Sequence, residues 1–87
     1  MKVQNMTSSK GNTVPNQFNI CEGNTRFFQS YDKTIVKIEN GNIYLDEKYW
    51  NYSKTTSKYR NQFLGLTTKE TEQKVKNGEF ILTNLNK

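Results

Sequence analysis

Histidine is absent from this chain, cysteine and proline occur once each, and only eight of its 87 residues are acidic. Without histidine the usual general base near neutral pH is missing, so proton transfer would fall to Asp, Glu, Lys, Tyr or Cys21. Asp46-Glu47 is the one adjacent acidic pair, and Glu70 and Glu72, two apart on an expected helix, do not face each other. Cys21 follows Ile20 in a strand pattern with no cation beside it, the setting of a packed thiol and not of an activated nucleophile. One cysteine allows no disulfide within the chain, and without histidine it assembles no metal site. Gly23 and Gly41 stand in hairpin turns and form no phosphate-binding loop. These absences argue against an enzyme, and no catalytic, metal-ligating or cofactor-binding residue is assigned.

Long apolar runs are missing too. The start, MKVQNMTSSK, has no signal-peptide core, and no stretch approaches the roughly 18 apolar residues that cross a bilayer. A cytoplasmic, membrane-free setting is the expectation. Hydrophobic residues make up 32% of the chain, against about 45–50% (glycine included) in ordinary globular domains. Five Tyr, five Phe and one Trp must therefore carry the core, and at this length only one core is expected.

The net charge of +5 is unevenly placed. Residues 1–50 hold six basic and five acidic groups, whereas residues 51–78 hold six and two. A basic patch suits contact with phosphates or with an acidic protein surface, because neutralising phosphates releases counterions. The plain alternative is an AT-rich genome, which also yields abundant Lys, Asn, Ile and Tyr.

Along the chain, residues 1–16 show no periodicity and read as a flexible polar tail, leaving 17–87 as a single α+β domain. Period-two alternation then marks strands at Gln17–Glu22, Thr25–Tyr31, Thr34–Glu39 and from Ile43 to Leu45 or beyond, joined by turns at Gly23-Asn24, Asp32-Lys33 and Asn40-Gly41-Asn42. This is a small antiparallel meander, of four to five short strands once Glu79–Leu85 is counted. In YWNYSKTTSKYRNQFLGL, residues 49–66, a helical reading puts Tyr49, Tyr52, Thr56, Tyr59 and Phe63 on one face and Lys54, Lys58 and Asn61 opposite. Asp46 is one possible start; Ser53 as N-cap, after a strand running through Tyr49-Trp50, is the preferred one. Gly65 is placed to end this helix. Thr67-Thr68-Lys69-Glu70 is a capping box for a second, shorter helix ending at Asn77-Gly78, with Glu70–Lys74 and Glu72–Lys76 as i, i+4 pairs. The aromatic helix and the shorter one are expected to cover one face of the sheet.

Helix, glycine turn, helix resembles a helix-turn-helix, but the positions six and nine after Gly65 are Thr71 and Lys74, where packing demands apolar residues. Binding remains the better reading. Lys54, Lys58, Arg60 and Lys69 are the candidate phosphate or acidic-surface contacts, with Trp50, Tyr52 and Tyr59 as stacking platforms.

The phrases FFQSYDKTIVKI, YWNYSKTTSKYRNQFL and LTNLN resemble a family of small uncharacterised proteins encoded by tailed bacteriophages, over Gln17 to Asn86. That resemblance implies an accessory factor acting in the host bacterial cytoplasm. Its expected role is to bind and inhibit a host nucleic-acid-handling defence machine, of anti-CRISPR or anti-restriction type, by occlusion. The partner would be a host protein or nucleoprotein complex such as a CRISPR effector or another defence nuclease. The alternative is a regulator that binds nucleic acid directly through the basic helix.

Overall fold

A computed structural model describes residues 1–86; Lys87 lies outside the described residues. The architecture is α+β: a six-stranded mixed sheet with two helices on one face. The strands are β1 (Lys2–Thr7), β2 (Thr13–Glu22), β3 (Thr25–Ser30), β4 (Lys33–Glu39), β5 (Asn42–Asp46) and β6 (Phe80–Thr83). Helices α1 (Lys54–Leu64) and α2 (Thr68–Lys76) lie in the connection between β5 and β6. Sheet order follows chain order; the first five strands form an antiparallel meander, and β6 adds in parallel to β5. Parallel neighbours require a long crossover, which the two helices supply.

The expected tail is not a tail. Lys2–Asn5 pair with Phe18–Cys21, and Thr7 pairs with Thr13. The connecting turn is built by Ser8, whose Oγ accepts from the amides of Lys10 and Asn12, and by Gly11 at φ 81°. Met6 enters the core at 7% exposure, and the Gln62 side chain donates to the Thr7 carbonyl. A single buried side chain and a tie to α1 thus order a segment with no hydrophobic period. Pro15, which cannot donate to a ladder, sits in β2 where the β1 pairing is interrupted.

The hairpins agree with their turn residues. Asn40 and Gly41 have φ values of 52° and 81°, the doubly left-handed turn that Asn-Gly favours. Strand β5 ends at Asp46; a run of turns follows, and the strand does not continue through Tyr49-Trp50. Its end is fixed by the Asp46 carboxylate, 1% exposed, which accepts from the amides of Lys48, Tyr49 and Leu85.

Ser53 is the N-cap of α1, accepting from the Thr56 amide at 3.1 Å, and Gly65 ends the helix at φ 71°. The α2 capping box is complete in both directions, and the Thr67 amide and hydroxyl hold the Glu70 carboxyl below its usual range. Among the described residues, the ion pairs are Lys37–Glu39 at 3.5 Å and Lys74–Glu79 at 2.9 Å. Lys74 therefore reaches forward to the turn before β6 and does not pair with Glu70.

The core lies between the helices and the sheet: Met6, Phe28, Ile35, Val36, Leu45, Tyr59 and Phe80. Phe28 stacks on Phe63 at 5.7 Å, and Ser30 Oγ meets Thr56 Oγ1 at 2.8 Å. Ile35 and Val36 are both fully buried, although neighbours on a regular strand face opposite sides; the register shift of β4 against Phe28-Gln29 allows it. Gln17, opposite Ser30 in β2, is fully buried, and neither amide atom meets a hydrogen-bond partner among the described residues. Such a group costs its desolvation without return. Gln17→Met is accordingly expected to raise stability by about 1–2 kcal/mol, seen as a higher melting temperature; a lower one would contradict this packing.

Candidate nucleic-acid or partner interface

From Lys48 to Lys69 the chain carries five basic residues and no acidic one. This stretch forms the turn before α1, α1 itself and the entry to α2. On it, Lys54, Lys58, Lys69 and Tyr52 are exposed, Tyr52 at 47%. Lys54 and Lys58 are one turn apart on α1, and Lys58 Nζ sits 5.4 Å from the Tyr59 ring centre. Asn51, Tyr52, Ser53, Lys54, Ser57 and Thr68 line a shallow cleft of about 350 Å³. The cleft opens at the N-terminus of α1, where the helix dipole is positive and its first turn holds no acid to offset it. Lys69 follows Thr68 at its border.

Arg60 is a correction to the expected contact surface. Its side chain is fully buried. Nη1 donates to the Trp50 carbonyl at 2.6 Å, to Asn51 Oδ1 at 3.2 Å and, weakly, to Ser57 Oγ at 3.5 Å. Nη2 donates to Asn61 Oδ1 at 2.8 Å and Thr68 Oγ1 at 3.2 Å, and the guanidinium lies 5.3 Å from the Trp50 ring centre. Burial lowers its pKa from the ordinary value, with the Glu72 charge acting the other way. Arg60 thus ties the 47–52 turn, α1 and the start of α2 together and offers nothing to a partner. Its sequence position carried the signal: Thr56, Tyr59, Arg60 and Phe63 follow i, i+3, i+4, i+7, so the spacing that places Tyr59 inside places Arg60 inside as well.

The other aromatics divide in the same way. Tyr59 is core at 7% exposure, and Trp50 is half-buried against Arg60. Tyr49 and Tyr52 precede α1 and do not share its face; they meet edge to face at 5.2 Å. Tyr52 alone of the three expected stacking residues presents an open ring. A second, polar cleft of about 620 Å³ lies between β1, β2 and the end of α1, and Arg26 and Phe63 line it. Arg26 there covers Phe63 at 4.7 Å.

No helix of the described chain is long and apolar enough to cross a membrane. No curated protein and no solved structure matches the sequence. Residues 1–80 match the profile of a family of unknown function, DUF8033, a span that takes in β1 and stops at the first residue of β6. The chain is a member of that family, DUF8033.

Proposed function

We propose that this protein is a phage-encoded accessory factor that binds a host nucleic-acid-handling defence machine and inhibits it by occlusion, without catalysing a reaction. The observation that supports this reading is the cationic ridge of Lys54, Lys58 and Lys69 beside exposed Tyr52, on a stretch free of carboxylates. Such a ridge suits an acidic patch on the machine, or the phosphates of a guide that the machine holds and shields from nuclease. A surface of this sign does not imitate DNA, which is acidic. The resemblance to small bacteriophage proteins supplies the biological setting.

Lys54→Glu, Lys58→Glu and Lys69→Glu combined are expected to leave the fold intact, since exposed charges contribute within about 0.5 kcal/mol each. Expressed in bacteria carrying a CRISPR or restriction defence, the wild-type chain should restore plaque formation by a targeted phage, and the triple variant should not. Restoration by a folded triple variant would remove this ridge from the mechanism.

A direct nucleic-acid-binding regulator is the second reading, favoured by Tyr52 as an open stacking ring next to Lys54. It requires affinity for naked nucleic acid that falls steeply with salt.

A further inference from the structure

Both helices pack on one face of the sheet. Phe63 and Thr56 of α1 meet Phe28 and Ser30, so the alternate β3 residues Thr25, Phe27 and Gln29 face away from the helices. Strand registers carry this face across the whole sheet. Val3 pairs with Ile20, Ile20 with Phe27, Phe27 with Lys37, Lys37 with Tyr44, and Tyr44 with Ile81. One continuous row therefore crosses all six strands, apolar or aromatic at every position but Lys37. Phe18 adds a ring in the neighbouring row, opposite Gln29. None of these residues belongs to the core cluster or packs against it, and Val3 and Ile81 are 53% and 43% exposed.

We propose that this open face is a self-association surface, which packs against the same face of a second copy of the chain. Charge selects that occupant. The face carries Lys37 with Glu39 beside it, and Glu22 at its rim. Nucleic acid would meet two carboxylates and one cation already paired. A second copy related by a two-fold axis brings Lys37 of each chain toward the carboxylates of the other. It also joins the least cationic surfaces of two chains of net charge +5 and leaves the ridges of Lys54, Lys58 and Lys69 outward. Size agrees: six strands about 4.8 Å apart and about five residues deep give roughly 500 Å² per copy, or about 1,000 Å² in all, the lower bound of a specific interface. In the dimer the two sheets stack face to face about 10 Å apart.

Sedimentation velocity of the full chain, from low to several hundred micromolar, tests this. The wild type should move from 10.2 kDa to twice that mass. Phe27→Lys should weaken association by about 30-fold or more while the circular dichroism spectrum and melting transition are retained. Lys37→Glu should also yield monomer, and Lys37→Glu combined with Glu39→Lys should restore the dimer, because the swapped face is again self-complementary. A wild-type monomer throughout the range overturns the proposal. So does a dimer indifferent to Phe27→Lys and Lys37→Glu, or a monomer whose face binds a labelled single-stranded oligonucleotide in a Phe27-dependent way.

Discussion

Arg60→Ala is expected to destabilise the protein by about 3–5 kcal/mol, a fall of roughly 15–30 °C in melting temperature for a domain of this size. The substitution takes the Arg60 donor from the Trp50 carbonyl and from Asn61 Oδ1, leaves Asn51 Oδ1 with Ser57 and Thr68 Oγ1 with Asn61 as remaining donors, and empties the space under the Trp50 ring. Unpaired buried acceptors cost about 1–3 kcal/mol each where water cannot replace the donor. Arg60→Lys should fall between, because one ammonium cannot span both groups of acceptors as a planar guanidinium does. Thermal melting should therefore rank wild type above Arg60→Lys and Arg60→Lys above Arg60→Ala. An alanine variant melting within about 2 °C of wild type would mean that Arg60 is not the tie between the turn and both helices.

Asp46→Ala is the second large effect, at about 2–4 kcal/mol. Burial by itself would raise the Asp46 carboxyl, but hydrogen bonds from the amides of Leu85 and Tyr49, the Asn86 side chain and the Lys48 amide outweigh it and hold the pKa below its ordinary 3.8. A carboxyl depressed on folding contributes stability that is present in full above its unfolded pKa and is lost as pH falls through the folded one. Wild-type stability should thus decline on acidification below about pH 4. The Asp46→Ala variant, weaker at neutral pH, should lose less over the same interval. Equilibrium denaturation at pH 7 and pH 3 measures both, and parallel losses in the two proteins would contradict this role.

The same carboxylate explains the C-terminal sequence. In LTNLN, Leu85 donates to Asp46, while Asn86 pairs in both directions with the Thr34 backbone, donating to its carbonyl at 2.8 Å and accepting from its amide at 2.7 Å. An asparagine side chain there acts as a short strand partner for β4.

Where local chemistry decides the structure, the residues announce it. The Asn40-Gly41 turn, the Ser53 cap, the Gly65 stop and the Thr67–Glu70 box are all readable, because each depends on side chains a few residues apart. Strand β1 is not readable in this way. Val3, Met6 and Val14 show no shared period, and what orders the segment is a nonlocal ladder to β2 with one buried methionine. The direction of β6 is equally silent, since strand propensity does not distinguish a parallel neighbour from an antiparallel one. Arg60 was obscured by its residue type: a charge on an amphipathic helix suggests solvent, whereas its spacing and the carbonyl and amide acceptors around it place it inside. The candidate ridge is therefore legible in its lysines and Tyr52 and misleading in Arg60, Tyr59 and Trp50.

The central claim is that the ridge of Lys54, Lys58 and Lys69 captures a nucleic-acid-handling machine. Its most direct test is a pull-down from bacterial host lysate with tagged wild-type chain and the triple glutamate variant, each with and without nuclease treatment, read by mass spectrometry. One protein complex retained by the wild type in both halves, and lost from the folded variant, is the predicted result. Retention that vanishes with nuclease, or a complex held equally by the variant, would contradict it.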